Sequence, residues 1–126
     1  MILVDTTVWV DHFRDGDPLL GRLLERGEVL AHPWVTGELA LGHLRSRAET
    51  LRLLGQLPQA TVATAAELLA FIERHELAAV GIGYVDAQLI ASTRLTADAQ
   101  LWTRDRGLRA AAERLGAAYI AGGTRP

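Results

Sequence analysis

The chain has 126 residues, which fits one folded domain, and a hydrophobic share of 49%, which is ordinary for a globular protein. It contains no cysteine, which excludes disulfides and thiolate metal sites, and no apolar run long enough to span a membrane. All 13 basic residues are arginine against 15 acidic ones, and the net charge of −2 excludes a uniformly basic protein that coats nucleic acid. We therefore expect a soluble domain in the cytoplasm.

The first half of the chain alternates short apolar runs with helical patterns. Residues 2–4 form a continuous apolar run, which predicts a strand that is covered on both faces. A helix with Trp9 and Phe13 on one side follows, and Asp17 before a proline is typical of the start of the next helix. The elements predicted after it are a strand at 29–31, a helix from Pro33 to about Leu44, and a helix through Leu51 and Leu54 that ends before Pro58.

The second half continues the alternation. It predicts a brief strand at 61–63, a helix through 68–75, a helix over 84–94, a strand at 100–103, a helix through 108–115 and a closing strand at 118–120. This order is typical of an α/β fold in which helices flank a mainly parallel sheet. We predict a single domain over residues 1–121 and a loose C-terminal tail at 122–126.

Acidic residues stand at the ends of several apolar runs. Asp5 ends the first strand, and Asp105 follows the strand that contains Trp102. Ligands of α/β sheets bind at the carboxyl ends of strands where the strand order reverses, so these two acids face one cleft if their strands are neighbours. Glu38 lies within an apolar helical segment, and Asp86 opens another helix. Both side chains can lean over the same cleft.

Carboxylates gathered in one cleft repel each other, by about 4 kcal/mol for a pair ~4 Å apart at an effective dielectric near 20. Either some of them bind protons with a raised pKa, or a cation offsets the repulsion. An oxygen-only donor set suits a hard ion such as Mg²⁺ or Mn²⁺. Such an ion binds a phosphate oxygen and makes a water molecule more acidic, so the pattern predicts phosphodiester hydrolysis.

Four motifs in order resemble those of PIN domains, specifically the VapC-like toxins of prokaryotic toxin–antitoxin pairs. The motifs are residues 4–11 with Asp5, residues 36–39 with Glu38, residues 85–91 with Asp86, and residues 101–105 with Asp105. The resemblance covers nearly the whole chain. It implies a three-layer fold with the strand order 3-2-1-4-5, in which strands 1 and 4 are neighbours as the cleft requires.

The same resemblance implies RNA cleavage that depends on Mg²⁺ or Mn²⁺, a homodimer, and inhibition by a small cognate antitoxin. Asp5 and Asp86 would be the principal metal ligands. Glu38 would help to hold the metal or orient the water, and Asp105 would complete the site or take part in a second metal position.

Other polar residues near the motifs are candidates for supporting roles. Thr6 and Thr103 are expected to hydrogen-bond the acids. Four arginines either contact RNA phosphates or form the solvated face of two helices; they are Arg14, Arg104, Arg106 and Arg109.

Each acid also has a purely structural interpretation, except one. Asp5 could be a turn or cap residue, Asp86 a first-turn acid that complements the helix dipole, and Asp105 a cap of the last helix. Glu38 is hardest to explain in this way because its neighbours are apolar. The histidines show no metal-binding spacing, which indicates surface or satisfied core residues; they are His12, His32, His43 and His75.

Two other functions compete with this prediction. A haloacid dehalogenase-type phosphatase needs a second aspartate two positions after the first, but Thr7 stands there and the chain has no lysine. A module that keeps the PIN fold, binds RNA or protein and lacks activity remains as the alternative.

Overall fold

The computed structural model describes residues 1–120, which form three strands and seven helices. The tail predicted at 122–126 lies outside the described residues. The elements are β1 (Ile2–Val4), α1 (Thr6–Asp15), α2 (Pro18–Glu25), β2 (Val29–Leu30), α3 (Pro33–Leu41), α4 (Arg47–Gln56), α5 (Ala65–Arg74), α6 (Tyr84–Leu95), β3 (Gln100–Trp102) and α7 (Arg106–Arg114).

The three strands form one parallel sheet with β1 in the centre, in the order β2-β1-β3. Leu3 pairs with Leu30 on one side and with Leu101 on the other. Successive strand residues point to opposite faces, and Ile2, Leu3 and Val4 are all buried, so the rest of the chain covers both faces. The predicted α/β fold, with a parallel sheet between helices, is confirmed.

Two isolated parallel bridges extend the sheet on either side. Ala31 bridges Gln59 beyond β2, and Leu101 bridges Ala118 beyond β3. Counting these bridges, the order is the expected 3-2-1-4-5. The strand predicted at 61–63 is wrong, because pairing is limited to the bridge at Gln59 and the following residues lead to α5. The closing strand likewise shrinks to one bridged residue, Ala118.

Helix α3 is shorter than the sequence predicts. It ends at Leu41 rather than near Leu44, and the N–H of Gly42 turns back to the carbonyl of Leu39 at 3.1 Å. Glycine is a poor helix former because it loses the most backbone freedom on folding, which explains the stop at this position.

A buried polar network joins α3 to α6. His32 is fully buried, its Nδ1 accepts from the N–H of Trp34 at 3.0 Å, and its Nε2 therefore carries the proton that Ser92 Oγ accepts at 2.9 Å. The Ser92 hydroxyl donates to Gln88, whose side-chain amide pairs with the backbone of Ala63. Burial lowers the pKa of His32. This histidine is a satisfied core residue, as the sequence allowed.

The apolar core surrounds the sheet. Trp9 and Trp102 are buried in it, whereas Trp34 is half-buried and packs on a smaller cluster around Leu68. Within residues 1–120, none of the helices is both long and apolar enough to cross a membrane.

Candidate active site

Asp5 lies at the junction of β1 and α1, and its side chain makes no helix cap. Its Oδ2 atom accepts hydrogen bonds from the hydroxyls of Thr7 at 2.8 Å and Thr103 at 2.7 Å. The residue is 4% exposed, and within residues 1–120 it makes no salt bridge. Burying an ionised carboxylate without a cation is costly, which favours a functional role over a simple turn.

The segment after β3 is tied to the same carboxylate. The Thr103 hydroxyl, which donates to Asp5, accepts from the N–H of Asp105 at 3.0 Å. The N–H of Arg104 donates to the Thr7 hydroxyl at 3.1 Å. The carboxyl ends of β1 and β3 therefore meet at one edge of the sheet, where the strand order reverses.

Glu38 lies in α3 and reaches the start of α1, where the Thr6 hydroxyl donates to its Oε1 at 2.7 Å. Thr6 thus contacts Glu38, and its neighbour Thr7 contacts Asp5. Thr6 contacts an acid as predicted, whereas the contact of Thr7 with Asp5 was not predicted. The signal for Thr7 was that two adjacent hydroxyl residues follow Asp5. Neighbouring helix residues point about 100° apart, so the two hydroxyls can contact two different acids.

Asp86 and Asp105 each stand at the start of a helix. Asp86 Oδ2 accepts from the N–H of Gly83 at 3.3 Å, in the first turn of α6. Asp105 caps α7 by accepting from the N–H of Leu108 at 2.9 Å. Both acids therefore have the structural contact that the simpler interpretation expected. That contact occupies only one oxygen of each.

All four acids share this feature: one carboxylate oxygen is used within the protein and the other is open. In the part of the chain that the structure describes, no hydrogen bond reaches the open oxygens, which are Asp5 Oδ1, Glu38 Oε2, Asp86 Oδ1 and Asp105 Oδ2. Four open acceptors without donors leave capacity for a ligand that brings positive charge.

The acids also act on each other. Burial raises the pKa of Asp86, and the negative charges of Asp5, Asp105 and Glu38 raise it further, while the hydrogen bond from Gly83 lowers it. Three acids that are distant from Asp86 in sequence thus lie within electrostatic range of it. Repulsion of this kind is the condition that a cation relieves.

Among residues 1–120, no three acidic or histidine side chains form a ready-made metal site. The chemistry of the donor set still fits a hard divalent cation, because every open atom is a carboxylate oxygen. Glu38 and Asp105 are exposed, so their side chains can reorient toward an ion, whereas Asp5 is buried and fixed by two hydroxyls.

Two of the four arginines near the motifs are held by aspartates. Arg104 forms ion pairs with Asp11, at 2.6 Å, and with Asp17, and its guanidinium lies 5.6 Å from the ring centre of Trp102. Arg14 pairs with Asp11 at 2.8 Å. Arg104 therefore ties the segment after β3 to α1 and to the start of α2, and both arginines already have acidic partners.

The chain also matches known proteins in sequence. Residues 2–114 match the profile of the PIN domain. The chain is 46% identical over 118 residues to "Ribonuclease VapC32" of two Mycobacterium tuberculosis strains, a match that covers 94% of this chain and 95% of the relative.

A solved structure supports the fold independently. The structure titled "Crystal Structure of FitAcB from Neisseria gonorrhoeae" superposes with a TM-score of 0.58 at 22% sequence identity. The superposition covers 90% of this chain and 94% of the other. At that identity, the likeness shows a shared fold.

Proposed function

The chain belongs to the PIN domain family, and from that premise we propose that it is a metal-dependent endoribonuclease that acts as the toxin of a toxin–antitoxin pair. The relative that is 46% identical over 118 residues is named a ribonuclease. The single observation in the structure that carries the proposal is the set of four acids, each with an open oxygen, in which the charges of three raise the pKa of Asp86.

We assign the metal-binding role to Asp5 and Asp86 as principal ligands, with Mg²⁺ or Mn²⁺ as the ion that suits carboxylate oxygens. Glu38 holds the ion or orients the attacking water, and Asp105 completes the site or a second metal position. The chemistry that such an ion supplies is charge neutralisation at the attacked phosphate and a more acidic water molecule.

The protein's own residues prepare this site before RNA binds. Thr7 and Thr103 fix Oδ2 of Asp5, so its open oxygen has a defined direction. Thr6 steers Glu38 toward the start of α1. Such supporting hydrogen bonds keep ligands oriented and are needed for full metal affinity.

Cleavage of a single-stranded RNA by the purified protein tests the proposal. We expect activity with Mg²⁺ or Mn²⁺, loss of activity with a chelator, and loss in Asp5→Asn, which keeps a hydrogen-bond acceptor but removes the charge. The matched control is Asp98→Asn, an exposed acid with φ of 54°, a conformation that asparagine tolerates. Cleavage that persists in Asp5→Asn or without divalent ions would contradict the proposal.

The proposed protein partner is a cognate antitoxin that lays a helix in a groove and places a cation in the acidic site, in competition with metal. A cavity of about 390 Å³ beside α1 and α4 supports this, because its lining is mainly apolar and includes Trp9, Leu24 and Leu53. Expression without the antitoxin should slow growth, and Asp86→Ala should relieve that inhibition.

We also propose that the protein is a cytoplasmic homodimer. Light scattering of the purified protein should then give twice the mass of one chain.

The alternative is an inactive PIN-fold module that binds RNA or protein. All four acid positions are occupied, which argues against loss of activity. A nuclease-free preparation that cuts no RNA and binds no divalent ion would support the inactive module instead.

A further inference from the structure

The arginines near the acids fall into two groups. Arg14 and Arg104 are held in ion pairs with aspartates, as described above. Arg106 is exposed and, within residues 1–120, makes no salt bridge or side-chain hydrogen bond. Arg109 pairs only with Glu113, at 2.9 Å and with both side chains about half exposed. Exposed pairs of this kind are weak, so Arg109 can exchange its partner at little cost.

Arg106 and Arg109 lie on one side of α7, three residues apart, at the helix end that Asp105 caps. They line a cavity of about 330 Å³ together with Trp102, Thr103, Arg104 and Tyr119. Thr103 joins this cavity to the acidic site, because its hydroxyl donates to Asp5 and accepts from the Asp105 backbone. Thr103 is therefore the residue that connects a ligand in the cavity to Asp5 and Asp105.

The lining combines cations with aromatic rings. The Tyr119 ring meets the edge of Trp102 at 5.8 Å between centroids, and Tyr119 is half-buried whereas Trp102 is almost fully enclosed. Tyr119 is thus the aromatic side chain that a ligand can reach. Aromatic rings and guanidinium groups are the surfaces on which unpaired RNA bases stack, and guanidinium groups also bind phosphates.

We propose that this cavity binds one unpaired nucleotide of the RNA strand next to the cleaved phosphate, with Arg106 and Arg109 on its phosphates and Tyr119 against its base. The proposal rests on the proposed ribonuclease function and deepens it, since it assigns a single-stranded substrate and distinguishes the two cavity arginines of α7 from Arg104, which Asp11 and Asp17 hold. Arg104 forms the inner wall, fixed by Asp11 and Asp17.

The location favours RNA over an acidic peptide as the occupant. A phosphodiester strand must run past Asp5 and Asp105 to be cut there, and its next phosphate then needs positive charge to offset the neighbouring acids. A carboxylate-rich peptide gains nothing from an aromatic wall.

The experiment measures binding of a short single-stranded RNA to protein carrying Asp5→Asn, without divalent ions, so that the RNA stays intact. We expect Arg106→Ala and Arg109→Ala each to weaken binding about tenfold, the loss of one charge-assisted hydrogen bond. Each should also reduce the salt slope by about 0.7, as for one phosphate contact on a single strand. Tyr119→Ala should weaken binding and Tyr119→Phe, which keeps the ring, should not.

The control for charge is Arg22→Ala, an exposed arginine on α2 that is not part of this cavity. Affinity within twofold of the parent in both Arg106→Ala and Arg109→Ala would overturn the inference. Equal affinity for duplex RNA, or for polyglutamate with the same sensitivity to Arg106→Ala, would overturn the assignment to an unpaired nucleotide. Because these measurements need no cleavage, the inference can fail while the metal-dependent nuclease stands, and the reverse also holds.

Discussion

Helices α3 and α6 carry two polar regions that differ in one respect. At one, His32, Ser92 and Gln88 form a buried network in which the side-chain hydrogen bonds connect end to end. At the other, the charges of Glu38, Asp5 and Asp105 act on Asp86, and each of the four acids has an open oxygen. The first region stabilises the packing of the two helices against each other. The second leaves carboxylate oxygens available for a ligand. Function is expected where polar groups are left unsatisfied.

The largest expected effect comes from removing one charge of the acidic region. Asp86→Asn should lower RNA cleavage by at least about a hundredfold, because even groups that only support metal ligands contribute ~10–100-fold. The metal-free protein should unfold at the same or a higher temperature, since the substitution removes repulsion from three acids. Cleavage rates and thermal unfolding in chelator measure both effects.

Addition of Mn²⁺ gives the control within the same experiment. The unaltered protein should gain thermal stability from the ion and Asp86→Asn should gain much less, because only a bound ligand stabilises the native state. A clear loss of stability in metal-free Asp86→Asn would mean that this acid belongs with the structural network.

The second prediction concerns the hydroxyls that hold Asp5. Thr103→Val keeps the shape of the buried side chain but removes its bonds to Asp5 and Asp105, so affinity for Mn²⁺ should fall about tenfold or somewhat more. Calorimetric titration measures this change. Thr103→Ser should restore most of the affinity. Thr93→Val is the matched control, because Thr93 is equally buried and, within residues 1–120, its hydroxyl bonds only to the Ile90 carbonyl.

The sequence predicted the elements that depend on local pattern. The apolar run at 2–4 and the helical spacing at 84–94 gave β1 and α6 almost at their observed bounds. The strand predicted at 61–63 failed because its pairing depends on Ala31, far away in sequence, and involves one bridge at Gln59. Local pattern alone does not specify which residue of a short segment meets the sheet.

The same limit applies to the site. The four acids could be named because each stands beside an apolar run or in a motif. The ion pairs of Arg104 could not be predicted, because their partners Asp11 and Asp17 are 93 and 87 residues away, in α1 and at the start of α2. The partners of His32 were hidden for the same reason, since Ser92 is 60 residues away.

A third prediction tests the structural region. Ser92→Ala should lower the free energy of unfolding by about 1 kcal/mol, the scale of one hydrogen bond, while the cleavage rate per folded molecule stays the same. Urea unfolding and the RNA cleavage assay measure the two properties. A changed cleavage rate with unchanged stability would contradict the separation between a structural network around His32 and a functional group of acids.

The smallest expected effect is a pH dependence that arises from His32. Burial lowers its pKa in the folded protein below the ordinary value of 6.5, so below that pH the unfolded chain binds the proton more readily. The contribution of neutral His32 to the free energy of unfolding is therefore complete above about pH 6.5, and it decreases as the pH falls toward the pKa of His32 in the folded protein. Urea unfolding between pH 8 and pH 5 measures it. His32→Asn keeps an acceptor for the Trp34 N–H and should show a weaker decrease. His75 is half-buried and its pKa is also lowered, but it is present in both proteins, so its contribution cancels in the difference. Identical pH profiles would show that His32 is protonated without cost, contrary to a closed network.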